Sequence, residues 1–177
     1  MKYFWKTYIY AAFFLAFALL LQSLRLIFPM VPSPVTMFVI GSLINMILIL
    51  SLLVTKNPWV AVIGLILPFT AFLQGQLPIV FMVPVVAIGN TIYALLGYYL
   101  WQRRLVWIAP VIKTVLLFGG TAAVIGVVQL PVKIADILSF MMSWPQLVTG
   151  CMGIVGVQLL LKKIPKNFGL QETNKKA

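Results

Sequence analysis

Lys113 stands inside an apolar run, VWIAPVIKTVLLFGG, with no acidic residue nearby in the sequence. Asn90 and Tyr93 lie in a second such run, three residues apart and therefore on one face of a helix. Gln74 and Gln76 precede that run, and Ser143, Trp144 and Gln146 interrupt a third. A polar group in hydrocarbon costs several kcal/mol (order of magnitude) unless paired. A cation near the bilayer centre costs roughly 2.5–3.5 kcal/mol on insertion scales. Residues of these types in such a setting suit the binding of a polar solute. Amides donate and accept together, which fits a hydroxylated or heteroaromatic molecule. Trp144 and Tyr93 offer ring faces for stacking, and Lys113 offers charge to an anion. The structural alternative is that Lys113 snorkels, or is satisfied by carbonyls and by Asn or Gln.

Other chemistries find no foothold. The chain has no His, which removes the commonest general base and metal ligand. Its two acids, Asp136 and Glu172, fall in a connection and in the tail, so no acid pair forms a site. There is no metal-ligand cluster and no phosphate-binding glycine motif. The reading is therefore no enzyme, no metal and no cofactor. Proton-coupled transport normally leaves Asp, Glu or His inside the membrane, so uphill movement of a solute would draw its energy from elsewhere. Cys151 is the single cysteine, and beside Gly150 and Gly153 its default role is packing.

The elements that must position these residues are membrane helices. The chain of 177 residues is 63% hydrophobic and only 8% charged, against roughly 25% charged in soluble domains; mean hydropathy is +1.10. We expect an all-α integral membrane protein with one domain over residues 1–168. Its six transmembrane helices fall at about 7–28, 36–54, 59–77, 79–101, 105–128 and 137–161, and a polar tail follows at 169–177. The N-terminal run has Lys2 and Lys6 before it but no small-residue cleavage site after it, so it reads as an uncleaved first span. Three prolines in PMVPSP (29–34) argue for a stiff, extended outer connection. Pro68 would kink the third span, and Pro84 and Gly89 would loosen the fourth. Lys113, about eight residues into the fifth span, would sit some 12 Å along it, near mid-depth.

The net charge is +11. The basic residues gather at the ends of apolar spans, so they read as topology signals beside anionic headgroups and not as a nucleic-acid surface. Ten lie on one side (Lys2, Lys6, Lys56, Arg103, Arg104, Lys162, Lys163, Lys166, Lys175, Lys176) and two, Arg25 and Lys133, on the other. Both termini are then cytoplasmic, and the span count is even. In this arrangement Gln74, Gln76, Trp144 and Gln146 fall in outer halves, Asn90, Tyr93 and Lys113 near the middle, and the inner halves are almost purely apolar. A channel needs polar lining along its length; this distribution suggests a pocket open outward and closed below. Arg25 and Asn45 would either line that pocket or stabilise the fold. Ala12 and Ala16, four apart on the first span, would let another helix approach closely, or simply reflect how common alanine is in such helices.

The segments AAFFLA (11–16), SPVTMFVIGSLIN (33–45), PFTAFLQGQLP (68–78) and PVVAIGN (84–90) resemble the S components of energy-coupling factor (ECF) transporters, and the resemblance spans most of 7–161. It implies a six-helix bundle in a bacterial plasma membrane that captures a vitamin or vitamin precursor from outside. It also implies as partners a transmembrane coupling protein and two ATPases, onto which the bundle docks and topples. The metal-ion branch of that family uses an N-terminal His-containing segment, absent from this His-free chain, which leaves organic micronutrients. Family docking through small residues on the first helix carries over onto Ala12 and Ala16. Pantothenate, a pyridoxine-like vitamer and the thiamine pyrimidine precursor all fit, and Lys113 with Arg25 favours an anion such as pantothenate. The reading from another class is a membrane interaction or regulatory protein without a transported ligand.

Overall fold

The computed structural model describes residues 2–27 and 33–163. It contains α1 (Lys2–Ile27), α2 (Ser33–Thr55), α3 (Val62–Leu73) preceded by a 3-10 turn (Pro58–Ala61), α4 (Met82–Leu100), α5 (Ile108–Val128), α6 (Val132–Met141) and α7 (Trp144–Lys163). Among the described residues five helical segments are long and apolar enough to cross a bilayer: Trp5–Ile27, Pro34–Thr55, Met82–Leu100, Ile108–Val128 and the interrupted Val132–Lys163. Pro58–Leu73 is apolar but shorter. The surface carries large apolar side chains on every helix, while Gln22, Asn45, Asn90, Lys113, Thr121 and Thr149 are buried. A water-soluble fold has the opposite arrangement. This is the architecture of a multi-pass membrane protein.

Helix α2 is the centre of the bundle, packed against α1, α4 and α7. In lipid no hydrophobic force drives helices together, so van der Waals contact between close backbones must do so. Glycines permit it. A Cβ on Gly153 of α7 would lie 2.8 Å from Asn45 Cβ and 3.0 Å from the Asn45 and Met46 backbone; one on Gly64 of α3 would lie 2.9 Å from the Thr91 nitrogen of α4. One apolar cluster, including Ile47, Leu48, Leu52, Ile63, Ala94 and Val157, fills one end of the bundle. A second, around Leu77, Met82, Leu117, Leu138 and Met142, fills the other.

Several boundaries differ from the sequence expectation, each for a local reason. The span expected at 137–161 is two helices, α6 and α7, broken at 142–143. Pro145 has no N–H to give the Met141 carbonyl four residues back; the Gln146 side chain donates to that carbonyl instead, at 3.0 Å. Because α6 starts at Val132, the connection after α5 shrinks to 129–131. Helix α2 begins at Ser33, not 36, because proline is tolerated in a first turn, where its missing N–H would have no partner. Residues 74–81 are turns, so α4 starts at Met82 and not at 79. The connection at 29–32 and the tail at 169–177 lie outside the described residues.

Gly153→Ala should destabilise the protein by about 1–3 kcal/mol, because the new methyl meets backbone that cannot rotate away. Gly119→Ala, with open space around its Cβ, should be neutral or stabilising by up to about 1 kcal/mol. Equilibrium unfolding in mixed micelles compares the two, and equal effects would reject the close α2–α7 seam.

Candidate ligand-binding site

All seven helices contribute to one cavity of about 120 Å³, far larger than the ~10–15 Å³ a single water needs. It borders both apolar clusters, touching Leu67 of one and Leu77 and Met142 of the other. Its polar lining is Gln22 and Arg25 of α1, Asn45 of α2, Gln76 of the α3–α4 turn, Asn90 of α4, Lys113 of α5, and Gln146 and Thr149 of α7.

Helix α5 begins at Ile108, so Lys113 is only five residues in, about 7.5 Å along the axis and short of the mid-depth expected. Its side chain is nonetheless buried, 3% exposed. Nζ donates to Asn45 Oδ1 at 2.6 Å and stands 5.0 Å from the centroid of the Tyr93 ring. Asn45 Nδ2 donates to Thr149 Oγ1 at 3.3 Å, and the Thr149 hydroxyl donates to the Gln146 carbonyl at 3.2 Å. This chain joins α5, α2 and α7. The partner of the ammonium is an amide, so its charge is shared but not neutralised. Of three N–H donors, one is used in a hydrogen bond.

Asn90 is the second open group. It is 7% exposed, lines the cavity, and its amide makes no hydrogen bond to the described residues. Arg25, half-buried at the cavity edge, has a buried Nε without a partner among the described residues. A buried polar atom left unmatched costs about 1–3 kcal/mol.

Other amides are already committed. Gln22 Nε2 donates to Thr70 Oγ1 at 3.0 Å and to Gln74 Oε1 at 3.2 Å. Gln74 Nε2 donates to Ser23 Oγ at 2.9 Å. Gln76 Nε2 donates to Gln74 Oε1 at 2.7 Å and to the Gln22 carbonyl at 2.9 Å. This clasp ties α1 to the end of α3.

Of the residues singled out in the sequence, Asn90, Lys113, Gln146 and Gln76 share the cavity wall. Gln74 belongs to the clasp and does not line the cavity. Tyr93 is wholly buried, its ring against the ammonium and its hydroxyl donating to the Gly150 carbonyl at 2.8 Å, so it supports Lys113 instead of facing a solute. Trp144 is 52% exposed and packs on Phe38 and Phe140, away from the cavity. Asn45 and Arg25, left open between lining and stabilising, both line it, and Asn45 also bonds α7. Sequence reasoning missed Gln22, Thr149 and the thioethers of Met37, Met141 and Met142. Gln22 was detectable as an amide inside an apolar span; the others carry no such mark. No family model, curated protein or solved structure matches the chain.

Asn45→Leu should destabilise the fold by about 1–3 kcal/mol, because it strips the ammonium of its acceptor. Lys113→Met should stay within about 1 kcal/mol of the parent, since replacing a buried charge by an apolar chain of similar volume is often neutral. The double variant should recover most of the Asn45→Leu loss. Chemical unfolding of the three variants tests this; additive effects would dissolve the proposed coupling.

Proposed function

We propose that this chain is the solute-capturing S component of an ECF-type importer, binding a small organic anion from outside. The observation that carries the reading is a buried ammonium, Lys113, that meets no carboxylate among the described residues and shares one cavity with the Asn90 amide, which has no hydrogen-bond partner among them. An intramembrane charge is expensive and marks a solute path more often than a structural need. With Arg25 at the edge, the wall offers two cationic groups to one carboxylate, and the Asn90 amide, with the amide oxygens of Gln76 and Gln146, faces hydroxyl or amide groups. Among vitamins and their precursors this favours pantothenate over a pyridoxine-like vitamer or the thiamine pyrimidine precursor.

In this reading six spans cross a bacterial plasma membrane with both termini inside, and α7 alone is long enough for the last, at about 30 Å. The chain has no ATPase or catalytic site of its own; a coupling protein and two ATPases supply the energy. Ala12 and Ala16 are exposed on α1 beside Ile9, Phe13 and Leu20, a small-residue face that suits a helix of the coupling protein. The same face would serve a membrane interaction protein with no transported ligand, and solute binding by the purified chain separates the two. Mass spectrometry of small molecules that copurify with it identifies the solute.

Asn90→Ala and Lys113→Met should each weaken binding about five- to 150-fold, corresponding to roughly 1–3 kcal/mol per lost contact. For a carboxylate solute Lys113→Met should hurt more, and affinity should fall as pH drops through the solute's own pKa. Calorimetric titration with candidate vitamins reads both effects, and unchanged affinity in both variants would remove this cavity from consideration. Ala16→Trp should abolish uptake while leaving solute affinity intact, because its bulk separates helices without touching the cavity. Normal uptake by that variant would place the interface elsewhere.

A further inference from the structure

A second cavity, of about 290 Å³, opens where α4 turns into α5 and is lined by Trp101, Arg104, Val106, Trp107 and Gln158. Arg104 adopts a left-handed conformation, φ 56°, that ends the α4 segment and returns the chain, so that Trp107 precedes α5 beside Trp101. None of the five lining residues is acidic. The Arg104 side chain is exposed, and its guanidinium makes no hydrogen bond to the described residues.

We infer that this cavity holds the phosphate of an anionic phospholipid. The guanidinium fork matches two phosphate oxygens, and as a rigid planar donor it does so better than an ammonium would. Gln158, Trp101 and Trp107 share the same wall, and a carboxamide and two indoles are side chains that can donate to further phosphate oxygens. Lys162 lies one helical turn beyond Gln158 on the same face of α7, and Arg103 adjoins Arg104, so the approach is positive. A hydrated inorganic phosphate has no use for two indoles, whereas the glycerol and first acyl carbons of a lipid do. Indoles also settle at headgroup depth. The lipid site does not depend on what the first cavity binds.

The test uses the full chain in a neutral detergent, titrated with brominated phosphatidylglycerol or brominated phosphatidylcholine while indole fluorescence is followed. The anionic lipid should quench at about five-fold lower concentration, the worth of one basic residue at an anionic surface. Trp101→Phe should remove part of the quenched signal, and Arg104→Gln should abolish the preference. Arg103→Gln, the same charge change one residue away, should keep it. Equal quenching by both lipids, a preference that survives Arg104→Gln, or the same loss in Arg103→Gln would overturn the site. Displacement of the lipid by inorganic phosphate would reassign the cavity to a soluble anion and overturn the lipid assignment.

Discussion

This bundle is organised around an ammonium group that no carboxylate of the described residues neutralises. Lys113 needs an acceptor and an electron-rich face within reach, and it finds them on two other helices, Asn45 of α2 and Tyr93 of α4. Asn45 in turn needs Thr149 of α7. Four backbones must therefore approach closely around one point. Glycines stand at that approach: Gly153 of α7 rests directly on Asn45, and Gly89 of α4 meets Leu117 one turn beyond Lys113 on α5. Packing and polar satisfaction are one requirement here, since a Cβ at Gly153 would push away the residue that caps the charge.

Buried polar groups divide into two kinds. Those of the clasp, Gln22, Gln74 and Gln76, are matched with one another and fix α1 to α3. Asn90, the spare donors of Lys113 and the Arg25 Nε are not matched by any described residue. A network that only stabilised the fold would leave no such remainder. The broken helix adds to the cavity wall: Met141, Met142 and Gln146 flank the interruption before Pro145 and line the cavity.

Much of this was legible in the sequence because lipid makes polar residues conspicuous. Lys113 and Asn90 stood out for that reason, and both face the cavity. Helical periodicity put Asn90 and Tyr93 on one face but could not say that the ring lies beneath the ammonium while the amide meets open space. Trp144 looked like a stacking platform because its neighbours Ser143 and Gln146 are polar; Phe38, over a hundred residues away, decides otherwise. The break at Pro145 was readable in principle from the Met141 carbonyl that no N–H would meet. Thr149 carried no signal, because a hydroxyl in a helix can always turn back to its own backbone. Helix starts shifted wherever proline was read as excluding a helix that it can in fact begin, as at Pro34.

The third helix is short. With its four-residue 3-10 turn and twelve-residue α-helical part, it reaches about 26 Å at ~2.0 and ~1.5 Å per residue respectively, whereas the 26 residues of α1 reach about 39 Å. Lipid around this bundle cannot suit both flanks at a hydrocarbon thickness of about 30 Å. Such a core would have to thin against α3 while α1 tilts or extends into the headgroups. A dimple there would fall on the flank where Pro68, Ala71 and Gln76 edge the first cavity, and would bring water and headgroups closer to it. Bilayer thickness would then set how far a polar molecule travels through hydrocarbon to reach Lys113, and a thicker membrane would lengthen that path.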